Sequence, residues 1–127
     1  MKIRIKGNSL RFRVTQSELA ELIARGRIDE TIYFSPSEDS RLTYVLEHQA
    51  SLLSTTLRYK PPEVAIVLST AALKLWGESN QVGIYATADL GIHGVLDLLV
   101  EKDFACLDLS DAENIDTFPN PSAGAVC

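Results

Sequence analysis

Five cations, Lys2, Arg4, Lys6, Arg11 and Arg13, stand at alternate positions on the two sides of Gly7-Asn8. Alternation is the period of a β-strand, and a two-residue turn between two such runs is a hairpin signature. The hairpin expected over 2–6 and 9–14 pairs Lys6 with Ser9, Arg4 with Arg11 and Lys2 with Arg13, which puts all five cations on one face. Like charges directly opposite each other destabilise a sheet by a fraction of a kcal/mol per pair, roughly, so carboxylates are expected nearby. The stretch from Leu96 to Asp103 offers them: strand alternation sends Leu96, Leu98 and Val100 inward and Asp97, Glu101 and Asp103 to the opposite face.

Three readings of that face follow. The first is a solvated cross-strand ion-pair network. In the second, Lys6, Asn8, Arg11 and Arg13 form an anion site with Asp103 at its edge, the turn amides of Gly7 and Asn8 adding donors. Arginine's planar fork suits phosphate and carboxylate, which favours this chemistry over a plain charged surface. In the third, the same cations meet an acidic protein surface. An enzyme acting on a phosphorylated or carboxylated substrate there would draw on Asp103 or Glu101 as acid or base.

Other chemistry has less support. His48, His93, Cys106, Asp103 and Asp108 have no diagnostic metal spacing, and no metal or cofactor is expected. Cys106 reads as a buried thiol rather than a nucleophile, and Cys106 and Cys127 as free thiols. The chain has no phosphate loop and no GxSxG, GxGxxG or HExxH pattern. Its net charge of −5 hides an asymmetry: residues 1–27 carry seven Lys/Arg against two Glu, and residues 28–127 carry five against fifteen Asp/Glu. A negative total opposes nucleic-acid binding, which depends on phosphate neutralisation. No run approaches a membrane span, the N-terminus lacks the pattern of a signal peptide, and a cytoplasmic location is expected.

The elements that position these residues come from an internal self-similarity. A shift of 54 residues lays Leu10, Phe12 and Val14 on Val64, Ile66 and Leu68, Leu19 on Leu73, Leu22 on Trp76 and Ile28 on Val82. Each repeat reads as hairpin, helix and two strands. The helix of the first starts at a capping box, Thr15 with Glu18, and ends near Gly26; that of the second runs from an N-cap at Ser69 to Gly77. The second hairpin turns at Pro61-Pro62, which calls for a wide turn or a sheet edge. Strands are expected over about 27–34, 41–48, 81–87 and 94–101.

The expectation is one α+β domain over 1–127: repeat 1 about 1–54, repeat 2 about 55–108, and an irregular tail from 109. It has about eight antiparallel strands and two short helices, two ββαββ repeats related by a pseudo-two-fold, in a barrel-like or two-layer arrangement. Arg11 and Arg13 correspond to Ala65 and Val67, so the second repeat exposes an apolar outer face that needs a cover. The tail, with Ile115, Phe118 and Pro119, or a second subunit in a homodimer, is the expected supplier.

The opening MKIRIKGNSLRFRVTQSE, with VEKDFACLDL and DTFPNP, resembles a family of small bacterial proteins known as a domain of unknown function. The resemblance spans essentially the whole chain, implies a stand-alone protein and supplies no activity. Lys2, Arg4 and Lys6 alone are similar to the charged first strand of the triphosphate-tunnel enzymes, which are eight-stranded antiparallel barrels. Those enzymes hold a divalent metal with acidic residues in that strand, where this chain has cations. The function expected from all of this is a non-enzymatic binding module for an anionic small molecule or acidic protein surface.

Overall fold

A computed structural model describes residues 1–105 and 115–119 of the chain. Among these residues the elements are β1 (Lys2–Lys6), β2 (Ser9–Val14), α1 (Gln16–Arg25), β3 (Arg27–Tyr33), β4 (Arg41–Gln49), β5 (Thr56–Lys60), β6 (Glu63–Ser69), α2 (Thr70–Gly77), β7 (Gly83–Asp89) and β8 (Val95–Lys102), with a 3₁₀ turn at Gly91–His93.

Local chemistry places most boundaries. At the start of α1 the Thr15 hydroxyl accepts from the Glu18 N–H, and the Glu18 carboxylate accepts from the Thr15 N–H at 3.0 Å, completing the capping box. Gly26 closes the helix at φ 85°, a left-handed conformation that favours glycine. Ser69 caps α2 by accepting from the Ala72 N–H at 3.1 Å. The β5–β6 turn is no wider than the first, with a cis bond between Pro61 and Pro62, and β5 is an edge strand.

The strands form two four-stranded mixed sheets, ordered β1-β2-β8-β7 and β3-β4-β6-β5, and they do not close into a barrel. The expected all-antiparallel pairing is therefore corrected: β2 runs parallel to β8, and β4 parallel to β6. The cause is connectivity. Each helix carries the chain from one sheet to the other, so the hairpin of each half is completed by the last two strands of the opposite half. The registers of the two parallel pairs correspond under the 54-residue shift: Leu10–Leu98 and Phe12–Val100 match Val64–Tyr44 and Ile66–Leu46. One alignment is corrected as well. Ile28 lies opposite Leu46, but it is Ile84, not Val82, that lies opposite Val100. Counted from the first residue of each helix, β7 starts two residues later than β3, and the loop from β7 to β8 is shorter by two than that from β3 to β4.

Inward-facing Phe12, Val14, Leu46, Ile66, Leu68, Leu98 and Val100 join Leu19 and Leu22 of α1 and Leu73 and Trp76 of α2 in one core. Trp76 is fully buried, and its Nε1–H donates to the Val82 carbonyl at 3.2 Å. A smaller cluster, Val45, Ala65 and Val67, occupies the outer face of the second sheet. Leu52, from the connector between β4 and β5, packs against it. The described tail residues 115–119 lie elsewhere because their backbone is held at the end of β8: Phe118 N–H donates to Asp103 O at 2.8 Å, and Ala105 N–H to Phe118 O at 2.7 Å. Phe118 packs against the main core and the Phe104 ring.

Candidate functional site

The outer face of the first sheet follows directly from its registers. Three rows cross the four strands: Lys6, Ser9, Asp97 and Thr87; then Arg4, Arg11, Leu99 and Tyr85; then Lys2, Arg13, Glu101 and Gly83. In these three rows five cations meet two carboxylates, and Asp89 follows on the same face opposite Val95. Arg11 lies 3.4 Å from Glu101 Oε1, and Lys2 lies 2.9 Å from Asp103 Oδ2 just beyond the last row. Arg4, Lys6 and Arg13 have no ion pair among the described residues. The Nε of Arg11 is buried without a hydrogen-bond partner.

The corresponding face of the second sheet carries rows of Lys60, Glu63, Thr43 and Thr31, of Arg58, Ala65, Val45 and Asp29, and of Thr56, Val67, Glu47 and Arg27. In these rows three cations meet three carboxylates, and Arg41 follows on the same face opposite Tyr33. Arg27 bridges Asp29 and Glu63, each at 3.1 Å, while Arg58 bridges Glu63 at 3.0 Å and also Glu47. The hydrogen bonds from Arg27 and then Arg58 hold the Glu63 carboxyl below its ordinary value. The two faces thus differ in degree: on the second, Arg27 and Arg58 engage all three carboxylates and Lys60 has no ion pair among the described residues, while on the first the cations outnumber the carboxylates.

The cationic face is also concave. A depression of ≈ 180 Å³ is lined by Arg4, Lys6, Ser9, Arg11 and Leu99, and a second of ≈ 530 Å³ includes Ser9, Tyr85, Thr87, Asp97 and Leu99. Ser9 and Leu99 line both, so the two adjoin as a shallow groove along the face. Tyr85 Oη donates to Glu101 Oε2 at 2.8 Å, and burial, followed by this bond, pushes the phenol up to about 12.

Of the residues singled out from sequence, the structure brings Lys6 and Arg11 together in this groove and adds Arg4. Arg13 lies one row away, opposite Lys2 and Glu101. Asn8 stands at the turn with its side-chain amide donating to Val95 O at 2.9 Å, so it ties the turn to the neighbouring loop. Asp103 is buried at the far end of the hairpin, its carboxylate on Lys2 and its N–H on Val14 O at 2.8 Å. Sequence reasoning missed Tyr85 and Thr87, which belong to the strand on the far side of β8. Their alternation in Gly83–Asp89 was the available signal, but it does not identify the neighbouring strand.

Two other polar positions stand apart from the groove. Lys102 continues the inward alternation of β8 into the protein: its Nζ donates to Ser79 O at 2.7 Å and sits 5.4 Å from the Phe118 ring centroid, and burial holds its ammonium below the ordinary lysine value. His48 shares a 2.8 Å hydrogen bond between Nδ1 and Thr70 Oγ1. Among the described residues no group of three or more His, Cys, Asp or Glu could hold a metal, and no helix is long and apolar enough to cross a membrane. Cys106, Asp108 and Cys127 lie outside the described residues.

No curated protein and no solved structure matches this chain. A family model does match, over residues 1–122, which is essentially the span on which the sequence resemblance rests, and the chain belongs to that family of unknown function, DUF7009.

Proposed function

We propose that this protein is a non-enzymatic binding module that takes an anionic small molecule on the outer face of the sheet β1-β2-β8-β7. The observation that carries the reading is the contrast between the two outer faces. In the second sheet Arg58, the counterpart of Arg4, and Arg27 engage three carboxylates. In the first, Arg4 and Lys6 stand without an ion pair among the described residues, beside Arg11 in a depression. Clustered cations repel one another, and a bound anion relieves that cost. The acid and base candidates are already engaged, Glu101 with Arg11 and Tyr85 and Asp103 with Lys2, which favours binding over catalysis. On this reading the two halves are copies from a duplication, related by a pseudo-two-fold; one copy kept a charge-balanced face and the other became a ligand site. The protein works in the cytoplasm.

The test is thermal unfolding with inorganic phosphate at constant ionic strength. A ligand that binds only the folded state stabilises it by about 2.7 kcal/mol at a hundred times its Kd, which for a domain of this size raises Tm by roughly ten degrees. The double variant Arg4→Gln, Lys6→Gln, altered at exposed positions only, is expected to lose most of that rise. An equal rise in both proteins contradicts the site. A rise with poly-glutamate and none with phosphate assigns the face to an acidic protein instead.

A further inference from the structure

The groove is polar along its length in a way that describes its ligand. Its central row reads, from edge to edge, guanidinium, guanidinium, isobutyl and phenol: Arg4, Arg11, Leu99 and Tyr85. Strands lie about 4.8 Å apart, so this row spans roughly 14 Å. Beside it runs Lys6, Ser9, Asp97 and Thr87. One end therefore offers three cations. The other offers an aliphatic floor, an aromatic ring that is 56% exposed, and two groups, Asp97 and Thr87, able to accept hydrogen bonds from hydroxyls. The bond from Tyr85 Oη to Glu101 holds the ring in place.

Asp97 decides between ligand classes. It has no ion pair among the described residues and accepts hydrogen bonds only, so it repels a second anionic group and attracts hydroxyl donors. A molecule anionic along its whole length, such as a polyphosphate or a polynucleotide, does not suit it. What fits is anionic at one end, hydroxylated in the middle and flat at the other end.

From this juxtaposition we infer that the ligand is a nucleoside monophosphate: the phosphate on Arg4, Lys6 and Arg11, the ribose hydroxyls toward Asp97 and Thr87, and the base over Leu99 against Tyr85. The inference rests on the anion-site reading above and narrows it. A base stacked on an aromatic side chain is worth enough to be read directly as a change in affinity, on the order of tenfold.

Calorimetric titration at constant ionic strength with inorganic phosphate, ribose 5-phosphate, adenosine and adenosine 5′-monophosphate separates the two claims. The monophosphate is expected to bind about tenfold more tightly than ribose 5-phosphate, and adenosine alone weakly. Tyr85→Leu should bring the monophosphate down to the level of ribose 5-phosphate without changing the response to phosphate, whereas Tyr85→Phe, which keeps the ring, should retain most of the preference. Asp97→Asn should weaken the monophosphate several-fold and leave phosphate unharmed. If phosphate binds but the monophosphate gains nothing over ribose 5-phosphate, or if Tyr85→Leu keeps the gain, the nucleotide inference is wrong and the anion site stands. Equal or tighter binding of a short oligonucleotide also overturns it. If no phosphate compound binds, both fall together.

Discussion

Trp76→Ala is expected to lower the unfolding free energy by about 3–5 kcal/mol, the range for removing a large aromatic side chain from a packed core. Trp76 is fully buried in the cluster that joins both sheets, and its indole N–H satisfies the Val82 carbonyl where the chain turns from α2 into β7. The substitution opens a cavity, while the Val82 carbonyl keeps the Lys102 N–H that donates to it at 3.0 Å, so the cavity carries most of the cost. Urea unfolding followed by circular dichroism measures the effect, since the chain's one tryptophan is lost in the variant. A fall in the midpoint with an unchanged slope reports lost stability. A loss below about 1.5 kcal/mol would show that the core closes around the gap and that α2 does not depend on Trp76.

A comparison between faces gives the second large effect. Ala65 and Arg11 occupy matching positions, each opposite a small or branched apolar residue of the parallel neighbour, Val45 and Leu99. Ala65→Arg puts a guanidinium into a fully buried site under Leu52, beside carboxylates already bound to Arg27 and Arg58. The expected cost is on the order of 3 kcal/mol, from an unpaired buried charge and displaced apolar contacts. The reverse change, Arg11→Ala, removes a partly exposed side chain from an ion pair at 3.4 Å and should cost about 1 kcal/mol or less. Similar losses from both changes would contradict the view that one face is built for stability and the other for a ligand.

Much of the fold was legible because the signals are local. Alternation in 2–6 and 9–14 gave the first hairpin to the residue, and the Thr15–Glu18 and Ser69 caps gave the helix starts. Strand partners were harder. A period of two says which face a side chain takes but not which strand lies beside it, nor its direction. The β2–β8 pair joins residues far apart in the chain, and nothing in either segment marks the pair as parallel. The two-residue shift between Val82 and Ile84 was hidden for a related reason: both residues are aliphatic and two apart, so either satisfies the same inward phase. Compensating loop lengths restored the alignment on the far side. Lys102 escaped notice because its charge suggested solvent, whereas alternation already pointed it inward, and Ser79 O and Phe118 receive it there.

The candidate site divides in the same way. Its cations are visible in one hairpin, since Arg4, Lys6 and Arg11 fall on one face by alternation alone. Its other end is not, since Tyr85 and Thr87 reach the groove only through the order β2-β8-β7. The packing of Leu52 on the second sheet was likewise unreadable, because it belongs to a connector with no periodic pattern.

The most direct measurement is a nuclear magnetic resonance titration of the arginine Nε–H and backbone amide signals with inorganic phosphate at constant ionic strength. The account predicts that the Nε–H signals of Arg4 and Arg11 move together and saturably, with the amides of residues 4–11 and 97–99, while those of Arg27 and Arg58 stay in place on their carboxylates. Arg27 and Arg58 moving as far as Arg4 and Arg11, or Arg4 and Arg11 remaining still, would contradict a built anion site on this face.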